Sequence, residues 1–133
     1  MIVTDASLVG PWVCSHAGGE WVPGRGTAIG WMRRGALMAG VLYEDWNHAN
    51  VVCHIAGIGR WATREFLRVI FDYPFRQLAV KRITVPVAST NAKAVQFVEH
   101  LGFTLEAKLK DAHPEGDLLI YKMTPAECRW LKG

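Results

Sequence analysis

The run from Asn91 to Phe103 constrains this chain more than any other segment, because it specifies a helix together with both of its ends. Asn91 is a residue type that caps a helix by accepting a hydrogen bond from a free first-turn amide. Ala94, Val95, Phe97, Val98 and Leu101 then recur at three- and four-residue intervals, the spacing of one helical face. Gly102 predicts the stop, since glycine enters the left-handed region without a Cβ penalty, and the apolar run from Phe103 to Leu105 begins a strand. Upstream, Leu78 to Val87 alternates apolar and polar residues with many β-branched members, which predicts a strand leading into the helix. The order is therefore strand, helix, strand.

The rest of the chain divides by the same rules. From Ala6 to Ala17, Leu8, Val9, Trp12 and Val13 share one helical face, and Pro11 predicts that the helix starts near it. Gly18-Gly19 ends that segment, and Pro23-Gly24-Arg25-Gly26 forms a loop. Thr27 to Arg33, Leu37 to Asp45 and Asn50 to Gly57 read as an antiparallel meander, with the apolar run around Met38 to Tyr43 implying a strand buried on both faces. A second helix is expected from Thr63 to about Gln77, its last turn weakened or ended by Pro74, and a short terminal helix from Pro125 to Leu131. No repeat, low-complexity tract or linker divides residues 1–133, so one domain is expected.

This order, with Asn91 at the helix entrance and Leu101-Gly102-Phe103 at its exit, resembles the C-terminal half of the GNAT N-acetyltransferase superfamily. The resemblance extends through Glu106 to Lys110 and Gly116 to Met123, which look like the closing strands of the branch that acetylates protein amino termini and small amines. It covers about the last two-thirds of the chain, and the N-terminal third only loosely. It implies an α/β (α+β) fold: a mixed, mostly antiparallel central sheet with helices on both faces and one splayed strand pair. That splay also accommodates Pro86, which would interrupt the ladder of an ordinary central strand but loses nothing if its missing N–H faces the gap.

Bulk properties narrow the remaining classes. A single domain of 133 residues buries a substantial core, and half of these residues are apolar. No uninterrupted apolar stretch approaches the ~20 residues of a membrane span, and the N-terminus lacks a signal-peptide pattern, so a cytoplasmic protein is expected. Cys14, Cys53 and Cys128 are odd in number and widely spaced, and the histidines are scattered, so neither a disulfide framework nor a metal site is indicated. The net charge of +3 sits in short groups such as Arg33-Arg34 and Lys81-Arg82. Such an excess suits an anionic cofactor as well as a merely solvated surface, and nucleic acid is the weakest reading.

The chemistry implied by the resemblance is acetyl transfer from acetyl-coenzyme A to an amine, without a metal. The partner is an amine acceptor, a small molecule or a protein N-terminus or lysine, and a homodimer is left open. The pyrophosphate loop of the family matches Arg60, Trp61, Ala62, Thr63 and Arg64, where free amides at a helix start favour phosphate. Thr63 and Glu65 stand where the family pattern has a glycine and a small residue. Glu65 also puts a negative charge into that turn, as helix starts do without any ligand. Ile55, Ala56 and Gly57 match the strand edge that meets the pantetheine and thioester, and Asn91, Lys93 and Phe97 match positions facing the coenzyme. Asn91 also has its capping role.

Neutral-amine attack calls for a general base and a proton for the departing thiolate. His54 and Glu44 are the candidates by position. Their other readings are a hydrogen-bonded core histidine and a solvated hairpin residue. The tyrosine that many relatives place seven residues after the asparagine is Val98 here, and the serine of another branch is Ala94. Trp31, Tyr43 and Trp46 are acceptor-site or core residues. These departures keep a second function in play, a catalytically silent GNAT-fold module that binds an acyl-coenzyme A or a protein.

Overall fold

The computed structural model describes residues 1–132. Seven strands form one sheet: Ile2–Val3 (β1), Gly26–Arg33 (β2), Ala36–Glu44 (β3), Asn50–Gly57 (β4), Arg82–Ala88 (β5), Thr104–His113 (β6) and Gly116–Met123 (β7). Their spatial order is β1-β2-β3-β4-β5-β7-β6, antiparallel throughout except for β4 beside β5. Helix α1 (Ala6–Ala17) covers β2, β3 and β4 on one face. Helices α2 (Arg64–Asp72) and α3 (Ala92–Leu101) pack on the other face, where most of the core lies. The meander is as expected, and β3 is buried along most of its length on both faces.

Each helix end has a local cause. The Asn91 side chain accepts from the Ala94 N–H at 3.1 Å. At the other end Gly102 sits at φ +108°, and the Phe103 N–H donates to the Val98 carbonyl at 3.1 Å, closing the helix with a left-handed cap. The Thr63 hydroxyl caps α2 by accepting from the Phe66 N–H at 3.2 Å. Helix α1 lies close to the sheet because Gly40 leaves room for it. A Cβ there would stand 2.7 Å from a methyl of Val13 and 2.8 Å from one of Val9.

Three expectations are corrected. Helix α1 starts at Ala6 and not near Pro11, because Asp5 caps it by accepting from the Ser7 N–H at 3.0 Å. Pro11 is tolerated inside because it and Ser7, whose carbonyl loses its partner, lie on the exposed side where water can serve. Of the two effects open to Pro74, the weakened last turn is the one seen: the chain continues to Gln77 as a π-helical turn over Tyr73–Gln77, with the Leu78 N–H bonded to the Tyr73 carbonyl at 2.9 Å. That turn also takes the Val80 N–H, donated to the Pro74 carbonyl at 3.1 Å, so β5 starts at Arg82 and not at Leu78. The terminal helix is instead two 3₁₀ turns, Pro125–Glu127 and Arg129–Leu131, divided where Cys128 turns its buried side chain into the core. Strand β1 was not foreseen from the sequence, since two residues show no periodicity.

Candidate active site

Strands β4 and β5 pair only at their starts, Asn50 with Arg82, Val51 with Ile83 and Val52 with Thr84. Beyond these they part. Because N–H directions alternate along a strand, the orientation of each amide in the gap follows from bonds at the strand ends. Ile58 donates to Met38 on the β3 side, so the amides of Gly57 and Ile55, out of step with it, face the gap. On β5, Arg82 donates toward β4 through Ala49 while Ser89 donates toward β7 through Asp117. Pro86 is in step with Arg82, so its missing N–H faces the gap, as expected from the splay. It interrupts no ladder bond.

The gap opens into a cavity of about 860 Å³ that passes from one face of the sheet to the other. On the α2/α3 side it is lined by Arg60, Trp61, Ala62 and Thr63 from the turn before α2 and by Asn91, Lys93, Ala94 and Phe97 of α3 and its cap. Ile55, Ala56 and Gly57, with Ile58 and Gly59, form the β4 edge, and His16 and Ala17 at the end of α1 close the opposite face. Ten of the eleven residues matched to a cofactor from the sequence therefore meet in one cavity; Arg64, in the first turn of α2, is not among its lining residues.

The turn before α2 suits an anion. The Thr63 N–H is held by the Trp61 carbonyl at 2.7 Å and the Phe66 N–H by the Thr63 hydroxyl, whereas the Arg64 and Glu65 amides find no partner among the described residues. Two free N–H groups at a helix start, with the positive end of its dipole, are the elements of a phosphate cradle. Arg60, Arg64 and Lys93 are in no ion pair among the described residues, leaving three cations to complement negative charge there. Glu65 opposes them from the same turn. The donors present thus fit the pyrophosphate of coenzyme A even though Thr63 replaces a glycine.

Gly57 has a packing role of its own. The space a Cβ would take is filled by the Trp61 indole, whose atoms lie 2.0 Å from that position. Trp61 is 6% exposed and its ring stands 4.7 Å from that of Phe97. The glycine admits this indole, and the paired rings of Trp61 and Phe97 form an apolar wall of the cavity.

The two residues singled out as bases behave differently from the cofactor set. His54 and Glu44 share the α1 face of the sheet and are joined, His54 Nε2 to Glu44 Oε1 at 3.1 Å. A carboxylate can only accept, so Nε2 carries the proton and Nδ1 is the open nitrogen of the neutral ring. Neither side chain is among those lining the large cavity. Glu44 lines a smaller one of about 390 Å³ at the end of β3, 5% exposed, with Arg25 Nε 3.6 Å from its second oxygen. It is therefore not the solvated hairpin residue that its position also allowed. Burial, then the charge of Glu44, pushes the Cys14 thiol upward. Trp31, Tyr43 and Trp46 do not line the large cavity, but Tyr43 and Trp46 line the smaller one with Glu44. Tyr43 is a core residue that donates its hydroxyl to the Ile70 carbonyl at 2.6 Å, and burial drives its ionisation far above the usual range.

The sequence reading missed His16. Its ring stacks on Trp12 with centroids 4.1 Å apart, and Nδ1 lies 2.9 Å from the Trp12 carbonyl. The signal available was the four-residue spacing of Trp12 and His16 on one helix face. Nothing local says that this end of α1 reaches the β4 edge.

With this geometry established, comparison with known proteins gives three findings. The sequence profile described as the acetyltransferase (GNAT) domain matches residues 37–121. No curated protein sequence matches the chain. Among solved structures, a point mutant of the spermidine N-acetyltransferase SpeG from Vibrio cholerae superposes with a TM-score of 0.68 at 21% identity, over 83% of this chain and 70% of that one. Two further mutant forms of SpeG, described as a spermidine/spermine N-acetyltransferase, give 0.72 at 16% identity over 95% and 96% of the two chains. A GNAT-family acetyltransferase from Bacillus anthracis gives 0.63 at 13%, over 77% and 68%. At these identities the likeness is one of fold.

Proposed function

The chain belongs to the GNAT acetyltransferase family, and on that premise we propose that it transfers an acetyl group from acetyl-coenzyme A to an amine by direct attack within a ternary complex. The observation that carries this reading is the parting of β4 and β5 into a cavity lined by an anion-ready helix start on one face and by the end of α1 on the other. Acetyl-coenzyme A supplies an activated thioester.

The chain's own groups divide the remaining work. Arg60 and the free Arg64 and Glu65 amides hold the phosphates, with Arg64 and Lys93 adding charge nearby. The rings of Trp61 and Phe97 exclude water from the channel beside Gly57. The Ile55 and Gly57 amides, unpaired by the splay, aim donors at the region where negative charge develops on the carbonyl oxygen. Preorganised donors of this kind are worth ~2.7–4 kcal/mol each in related acyl-transfer chemistry. Glu44 fixes the tautomer of His54, leaving Nδ1 as its open nitrogen on the acceptor-side face.

Calorimetry with acetyl-coenzyme A, followed by thiol release with a panel of peptides, polyamines including spermidine, and aminoglycosides, tests the proposal. Saturable binding that desulfo-coenzyme A shares, with turnover of at least one amine, is the expected result. Binding without turnover would leave a silent acyl-coenzyme A module, and absence of binding would remove the reading altogether.

A further inference from the structure

We propose that His16, at the end of α1, is the general base that takes the proton from the acceptor amine. This rests on the acetyl-transfer reading above and adds a residue to it. The titratable side chains lining the cavity are His16, Arg60 and Lys93. Guanidinium and ammonium groups have donors but no acceptor lone pair, so of these three only the imidazole can receive a proton.

Its geometry is preset for that task. The Ser15 hydroxyl, 3.0 Å from Nδ1, donates to the Trp12 carbonyl at 2.7 Å, so the proton of the neutral ring sits on Nδ1 and is shared between that carbonyl, at 2.9 Å, and Ser15 Oγ. That leaves the lone pair on Nε2. Stacking on Trp12, at an interplanar angle of 29°, restrains the ring as well. His16 and Ala17 border the cavity on the face opposite the phosphate-binding turn, which is where an amine must enter if the thioester comes from the other side. His54, by contrast, gives its Nε2 to a buried carboxylate and is not a cavity-lining residue.

The step balances without another reactant. As the lone pair of a neutral amine forms the new C–N bond, Nε2 accepts one N–H proton. When the C–S bond breaks, its electron pair leaves with sulfur, and the imidazolium returns the proton to the thiolate.

His16 is exposed in the last turn of its helix, so His16→Gln and His16→Ala are expected to fold. The kcat/KM for the amine should fall by ~10²–10⁴ in His16→Gln, the usual share of general-base catalysis. Affinity for acetyl-coenzyme A should stay within about twofold, and free imidazole should restore part of the rate to His16→Ala, because the loss lies in proton transfer alone. A readout independent of turnover is the ¹⁵N spectrum of the His16 ring. Binding of a coenzyme A–amine bisubstrate conjugate should move the Nε2 resonance and leave the Nδ1–H signal in place. A His16→Gln enzyme with wild-type kcat/KM, or an Nε2 resonance that does not respond to the conjugate, overturns the assignment. The transferase reading fails separately, when the wild-type chain releases no thiol with any amine. The imidazole signals still decide whether His16 faces the acceptor in that event.

Discussion

Replacing Gly57 by alanine tests the wall of the proposed cofactor channel directly. The added Cβ would lie 2.0 Å from Cε2 and Nε1 of Trp61 and 2.4 Å from Cδ1, closer than any real contact. Two responses compete. Expelling the indole exposes a ring now 6% accessible. At ~200 Å² and ~25 cal/mol per Å² that costs about 5 kcal/mol. Keeping the indole buried requires strand and ring to part by more than 1 Å, because the contact starts at 2.0 Å and ordinary contact begins at 3.4 Å, which puts the overpacking at or above the upper end of ~1–3 kcal/mol. That is no more than the cost of expulsion, so unfolding in guanidinium chloride should show a loss of about 3–5 kcal/mol. The same shift pushes the indole against Phe97, 4.7 Å away, and narrows the channel, so calorimetry should show weaker binding of acetyl-coenzyme A. Trp61→Phe vacates part of the space, and the double variant should recover ~0.5–3 kcal/mol relative to the sum of the singles. A Gly57→Ala protein of wild-type stability and affinity, with no coupling to Trp61→Phe, would refute the packing argument.

Thr63→Ala removes the hydroxyl that caps the Phe66 amide and should lower stability by about 1 kcal/mol in denaturant titration. Arg60→Ala should raise the calorimetric Kd for coenzyme A by about tenfold or more, as loss of a charge-assisted hydrogen bond does, and by less at high salt. The Glu127 carboxyl is held down to about 2, first by hydrogen bonds from Lys122 and then by the Thr124 amide and hydroxyl. A depressed carboxyl contributes its full stabilisation above its ordinary value of 4.5 and loses it as pH falls through about 2. Glu127→Gln should therefore lower Tm at pH 7, by the equivalent of about 1 kcal/mol or less after solvent screening, and the difference should fade across that acid window.

The local elements were legible because their causes are local. Asn91 and Gly102 mark the ends of α3 by what their own side chain, or lack of one, does to adjacent amides. The meander follows from alternation over β2, β3 and β4. The positions matched to a coenzyme were legible only through resemblance, and they converge because one βαβ unit carries β4, α2 and β5, with α3 following directly. Elements governed by two competing signals were misplaced: Pro11 argued for a late start to α1, but the Asp5 cap and an exposed Ser7 carbonyl outweighed it. Leu78 to Lys81 has the pattern of a strand, yet the π turn claims the Leu78 and Val80 amides first.

What the sequence settled by itself is the alternation of strands and helices and the family they build, since both follow from periodicity, capping and turn residues within a few positions of one another. Tertiary structure alone decided which side chains share the cavity. Gly57 and Trp61 are neighbours in sequence, but only folding shows that one is small to admit the other. Glu44 is buried and paired to His54 across two strands, and His16 reaches the β4 edge only because α1 crosses the sheet over Gly40. Contacts between residues tens of positions apart depend on how helices cross strands. No local pattern encodes that angle.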